Sequence, residues 1–351
     1  MSDKIIPFSL LELATVPVNL NPGEVFKNSL DLAQHAEQWG YRRFWLAEHH
    51  NMISIASSAT SVLIGHIAGG TQSIRVGSGG IMLPNHSPLI VAEQFGTLGS
   101  LFPGRIDLGL GRAPGTDQVT AQAIRSDRMN SVYRFPQEVE EIKQYFSNDN
   151  SDSRVRATVA EGVDVPVYIL GSSTDSAKVA AKQGLPYAFA SHFAPDMLFD
   201  ALRIYYNEFE PSASLDKPYA IACVNVIAAE TNEEAERLAT SLVRMILGVI
   251  TNKRDYVRPP EDPSNETRML MQNPAFERML KYAFIGSKEN VKARTVNFLK
   301  DTGVDEIMVV SHFYDHHDRL KSYQLFSQIM HELNDHTFHT NDQSNVLSNH
   351  R

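Results

Sequence analysis

Along this chain, short and almost wholly apolar runs alternate with longer stretches in which apolar residues recur every three or four positions. The short runs suit strands buried on both faces, and the longer stretches suit helices with one face on a core. IPFSLLEL is the first run; after Asn21-Pro22-Gly23 a helical pattern through Phe26, Leu30, Ala33 and Ala36 stops at Gly40. RFWLAEHH, SIRVGSGGIML and RIDLGLGR follow, with helical patterns in SVLIGHIAGG and PLIVAEQFGTLGSLF between them. From Arg112 to about Val163 the pattern loosens into a polar excursion, after which VPVYILG, YAFAS, YAIACVNVIAA and DEIMVVSHF supply four more runs.

Eight strands separated by helices predict a (β/α)8 TIM barrel, with insertions in the loops at its C-terminal face, rather than an open sheet. Residues 1–335 make up this single domain, and 336–351 form a polar tail. From about Leu333 the periodicity is lost and loose order is expected. The proline-containing insert 251–279 follows the seventh strand and its helix and is predicted to act as a lid over the barrel mouth.

Strand ends matter because such barrels assemble their sites at the C-terminal ends of the strands. Glu48, His49 and His50 end the second strand, Gly79 and Gly80 the third and Arg112 the fourth; Gly171 to Ser176 follow the fifth. Adjacent side chains on an extended strand point to opposite faces, so the His49-His50 pair is poor chelate geometry and no metal is expected. Three ionisable groups at one rim point to proton chemistry instead. The glycines of VGSGGIML mark either a bulge or bare backbone on which a flat ligand lies. GLGRAPG lacks the G-x-G-x-x-G spacing of a dinucleotide fingerprint. Arg112 suits a phosphate, with a surface salt bridge as the competing account. GSSTDSAKVAA places hydroxyls at a helix start, which means N-capping at least and an anion site at most. Asp315, His316, His317 and Asp318 read as a charged junction before the last helix.

Composition narrows the partners. With 41 acidic against 32 basic residues and a net charge of −9, there is no basic field for a nucleic acid. Cys223 is the single cysteine, so no intrachain disulfide can form and a reducing compartment is expected. The first residues lack the basic and apolar regions of a secretory signal, and no window approaches the roughly 20 apolar residues of a membrane span. A cytoplasmic protein is expected.

WLAEHHN, VGSGGIMLPNHSPLIVAEQFGTL, PGRIDLGLGRAPGTD and VYILGSSTDSAKVAAKQGLPYAFASHFAP together resemble the bacterial luciferase-like flavin monooxygenases, in family order over about residues 3–330. Among these the chain is most similar to the non-luminous luciferase-like branch. The resemblance implies reduced FMN supplied by a separate NAD(P)H-dependent flavin reductase, O2 as co-substrate, a C4a-peroxyflavin, a small apolar or carbonyl-bearing substrate and a homodimer. It puts the catalytic role on His49 with Glu48 near the flavin, and a non-proline cis peptide at Gly79-Gly80. Cofactor contacts are implied for Arg112, Gly171, Ser172, Ser173, Ser176 and Ser191. Ser172, Gly111 and His192 depart from the residues of luciferase itself. An F420-dependent dehydrogenase or reductase and a non-catalytic flavin-binding relative share the barrel and stand as alternatives. For the dimer contact the candidates are the helices after strands two and three, with Ala56, Ser57, Ser58, Ala59 and Gly65.

Overall fold

A computed structural model describes residues 5–113, 115–125 and 128–348. Eight parallel strands form a closed ring: β1 (Phe8–Glu12), β2 (Arg43–Leu46), β3 (Arg75–Ser78), β4 (Ile106–Gly111), β5 (Val167–Gly171), β6 (Tyr187–Phe189), β7 (Ala220–Ala229) and β8 (Glu306–Val310). β8 closes the ring by pairing with both neighbours, Ile307 lying opposite Phe8 on one side and Ala222 on the other. The predicted TIM barrel is therefore the observed fold.

Period-two alternation explains why each strand reads as a continuous apolar run. Phe44 and Leu46 of β2, Leu108 and Leu110 of β4 and Ile307 and Val309 of β8 face the helices. Trp45, Met308 and Val310 face the barrel axis with Leu11, Tyr168, Ile221 and Cys223. Both faces are buried, so both are apolar. Around the ring, local signals start and stop the helices. Helix Pro22–Gln38 begins with a reciprocal capping box between Asn21 and Glu24, buries Val25, Leu32, Ala33 and Ala36, and gives way to Gly40 at φ +82°.

The floor of the barrel is ionic. Arg43, 1% exposed, donates through Nε to Glu306 at 2.8 Å and through Nη1 to Asp107 and to the Tyr168 hydroxyl, both at 2.8 Å. Arg75 and the Trp45 indole also donate to Asp107, and Tyr219 and Ser9 to Glu306. Burial alone disfavours a charged guanidinium, but Glu306 and Asp107 more than offset this and raise the Arg43 pKa.

Three features differ from the sequence reading. β3 stops before the glycines expected to end it, but Ile81–Met82 beyond them is a separate two-residue strand beside β4. Ala283–Ser287, just after the insert read as 251–279, is a strand paired with the second half of β7. The last helix, His316–Ser348, runs on through the stretch expected to be a loose tail. Asn334 anchors it by bonding both the N–H and the carbonyl of Ile6, and Leu333 packs on the core. Asp315 accepts from the His317 and Asp318 amides at this helix start, in line with a charged junction.

Candidate active site

The ends of β2 and β4 are locked together by the loop that follows β4. Gly115, at φ +65°, brings its carbonyl to 3.2 Å from His49 Nδ1 and 3.4 Å from the His50 amide. A Cβ on Gly115 would lie 2.6 Å from the Glu48 carbonyl, so glycine is required by both conformation and space. A carbonyl can only accept; His49 Nδ1 therefore carries the proton, and Nε2 of the neutral ring keeps its lone pair. Burial is the main force lowering the His49 pKa, with Glu48 and the Gly115 bond pulling the other way. The neutral, basic ring is thus the form present near pH 7. His49 lines an open cleft of about 610 Å³ with Asn51, Met52, Ile53, Ile55, Ser58 and Arg254.

Glu48, expected near a cofactor, has its carboxylate held by neighbouring groups of the chain. Its carboxylate, 1% exposed, receives the Met82 amide at 2.9 Å, Asn85 Nδ2 at 3.0 Å, His50 Nε2 at 2.8 Å and His86 Nε2 at 2.9 Å. Burial raises its pKa, but the hydrogen bonds from His50 and His86 outweigh this and hold it at about 2. With both oxygens occupied, Glu48 is a structural anchor for the loop after β3.

The bond between Gly79 and Gly80 is cis. The two glycines are there because of close backbone packing: a Cβ on Gly79 would meet Leu11 Cδ1 at 2.6 Å, and one on Gly80 would meet the Gly109 carbonyl at 2.6 Å. At Gly111 the corresponding space is filled by the end of Met82.

Arg112 and the serine-rich turn come together. Arg112 Nη2 lies 3.1 Å from Asp175 in the first turn of helix Thr174–Lys182, so both the expected helix start and the alternative salt bridge are present. Ser173 is the N-cap in extended conformation, yet its side chain makes no capping bond. Asn21, Asp117, Thr231, Ser264 and Ser287 all do cap their helices. The uncapped amides beside a guanidinium, with Ser172 and Ser173 half-buried around them, leave donors for an anion.

Two expected cofactor contacts are turned inward. Ser176, 6% exposed, donates to the Ser173 carbonyl at 2.8 Å and meets the Tyr187 hydroxyl at 3.0 Å. Its side chain would also collide with a Cβ on Gly171, so Gly171 makes room for Ser176. Ser191 is fully buried and donates to the Cys223 carbonyl at 2.6 Å, tying β6 to β7. Both hydroxyls are occupied by backbone carbonyls of the chain itself.

Reading the sequence missed Gly115, His86, Asn225 and His312. A signal existed for the last two, since 221, 223, 225 and 308, 310, 312 continue the inward-facing alternation of β7 and β8. The insert does reach the mouth: Val257 bonds Val16 and Val18, Tyr256 packs near Ala14 and Val25, and Arg254 enters the cleft wall.

The family model for luciferase-like monooxygenases matches residues 6–326. A luciferase-like monooxygenase of Escherichia coli is 47% identical over 333 residues, covering 95% of this chain and 99% of that protein. The N-acetyl-S-alkylcysteine monooxygenase of Bacillus subtilis is 31% identical over 331 residues, covering 92% and 98%. The crystal structure of apo-MsnO8 superposes with a TM-score of 0.85 at 33% identity, covering 93% of this chain and 98% of that one. The oxygenating constituent of the Pseudomonas putida 3,6-diketocamphane monooxygenase, in complex with FMN, shares the fold at 16% identity, as does an F420-dependent secondary alcohol dehydrogenase at 14%. Among the described residues no helix is long and apolar enough to cross a membrane. Matched over nearly its whole length, this chain belongs to the luciferase-like monooxygenase family and is an oxidoreductase.

Proposed function

We propose that the chain is a flavin-dependent monooxygenase that uses reduced FMN and O2 to oxidise a small apolar or carbonyl-bearing molecule. One observation carries the choice of a phosphorylated cofactor: the uncapped helix start at Ser173 lies beside the Arg112 guanidinium. Arg112, the amides after Ser173 and the Ser172 and Ser173 hydroxyls hold the phosphate. When bound, the reduced flavin supplies the two electrons and O2 the inserted oxygen.

The protein's own contribution lies at β2. His49, with Nδ1 fixed on Gly115 and Nε2 unprotonated, takes or returns a proton at the cleft, and Glu48 positions it through the backbone it anchors. Gly79, Gly80 and Gly109 let β3 and β4 pack closely beneath the cleft. The insert, pinned at Val257, brings Arg254 to the wall of the open cleft, from where it would screen a bound reactant from water.

The likeness to an FMN-bound monooxygenase and the family membership support FMN; F420-dependent neighbours on the same fold set the second reading. An anaerobic titration of reduced FMN against reduced F420, followed by 18O2, tests the choice. Tighter binding of FMN and 18O in the product are expected. Preference for F420 with turnover independent of O2 would replace this reading, and binding with no turnover would leave a carrier.

A cytoplasmic homodimer fed by a separate reductase completes the proposal. Val62, Leu101 and Ile90 are 69%, 64% and 47% exposed on the helices Thr60–Gly69 and Pro88–Leu101, which supports these helices as the dimer face. Ser57 does not belong to it, being fully buried and donating to the Ala47 carbonyl.

A further inference from the structure

The alternation that packs the barrel interior also decides what faces the mouth. Along β7 the inward positions Ile221 and Cys223 lead to Asn225, and along β8 Met308 and Val310 lead to His312. His192 lies in the turn after β6, where Asn225 Nδ2 donates to its carbonyl at 2.7 Å. His49, His192 and His312 are close enough to disfavour one another's protonation. A polar layer therefore tops the apolar ones.

Three atoms of this layer are buried and have no hydrogen-bond partner among the described residues: His192 Nδ1, Asn225 Oδ1 and His312 Nδ1. The Asn225 amide has a settled orientation, because the His192 carbonyl accepts from Nδ2 and leaves Oδ1 as an acceptor. A buried acceptor without a donor is destabilising, so a donor belongs there. Burial first, and then neighbouring histidines, hold the His192 pKa at about 3; burial also takes His312 to about 4. Both rings are neutral near pH 7. The adjacent charges are spoken for, Arg319 by Glu12 and Glu48 by His50 and His86. Among the described residues no cation acts unpaired on His192 or His312, and the Arg254 guanidinium lies in the cleft wall with His49.

We propose that His192, Asn225 and His312 form a substrate subsite beside His49 for an uncharged group that carries an N–H or O–H, such as an amide or a hydroxyl. The inference rests on His49 being the reacting end of the cleft and defines the polar half of the molecule brought there. In the ring of strands β8 lies opposite β4, so His312 is across the mouth from Arg112, while His192, after β6, is on the side next to the Ser172-Ser173 turn that follows β5.

The test uses the full-length, flavin-free protein with 15N-labelled histidine. It is titrated with N-hexylacetamide and with N-hexyl-N-methylacetamide, which lacks the N–H. Saturable shifts of the His192 and His312 ring nitrogens are expected, with binding of the N–H amide at least about fivefold tighter. Asn225→Leu should erase that preference and Asn225→Asp, which keeps an acceptor, should retain it. Equal affinities, unmoved imidazole signals, or a preference that survives Asn225→Leu overturn the proposal. The wild-type comparison stands even where a variant misfolds. Reduced FMN is titrated into the same sample: failed flavin binding with the amide preference intact sinks the flavin reading alone, and the reverse result sinks the subsite alone.

Discussion

The two ends of the barrel axis face the same problem, polar groups in a buried interior, and resolve it in opposite ways. At the floor, Arg43 reaches Glu306, Asp107 and Tyr168 at 2.8 Å, and Arg75, Trp45 and Tyr219 add further donors to the carboxylates. At the mouth, His192, Asn225 and His312 each keep a buried polar atom without a partner among the described residues, and the Ser173 side chain makes no capping bond. A saturated network is stiff and specifies one arrangement. An unsaturated one is a standing demand for a ligand. The difference teaches where to look for function in a barrel: at the end where satisfaction is incomplete.

Removing one partner from the floor should have the largest effect. Arg43→Met strands two buried carboxylates and should lower unfolding free energy by about 3–5 kcal/mol in a urea titration. A loss under about 1 kcal/mol would mean that the floor is no stiffer than the mouth. At the mouth, His49→Ala should cut turnover on the order of 10²–10³-fold while leaving the urea midpoint nearly unchanged. An equal loss of stability would put His49 with the floor residues.

Smaller effects sharpen the contrast. Arg112→Met should weaken reduced FMN roughly tenfold to a hundredfold by equilibrium titration, the worth of a charge-assisted hydrogen bond; unchanged affinity would detach Arg112 from the seat. The smallest effect is in pH dependence. His192 and His312 have folded pKa values of about 3 and about 4 against 6.5 for a free imidazole, so the unfolded chain binds more protons. Stability is then full above about pH 6.5 and falls as pH drops toward 4. Glu48, held at about 2, adds to the loss only below about pH 4.5. His312→Gln should flatten the slope between pH 6.5 and 4; an unaltered slope would show that the mouth histidines are not buried neutral.

The barrel strands were legible because burial on both faces writes itself as apolar runs, as in RFWL and EIMVV. The glycines that end β3 were legible as well, and the cis bond through the family resemblance, but apolar Ile81 and Met82 gave no sign that they form a separate strand beyond it. Ala283–Ser287 escaped for a similar reason: five residues after a charge-mixed insert carry too little pattern. Strand ends pointed correctly to Arg112 and the Ser173 turn as neighbours. What the hydroxyls and the carboxylate of Glu48 do was hidden, because Ser191 answers to Cys223, Ser176 to Tyr187, and Glu48 to His86, contacts made only by folding. Asn225 and His312 were recoverable by counting every second residue along their strands.

The contact between Arg112 and Asp175 has a consequence for selectivity. With a carboxylate from the chain itself already resting on the guanidinium, a stray inorganic phosphate must evict it and gains little from the exchange. A molecule tethered elsewhere in the mouth by a large ring meets the same doorkeeper with its phosphate held at high local concentration. In the proposed seat the acidic neighbour would then favour a phosphate that arrives attached to a larger molecule over a small ion of the same charge.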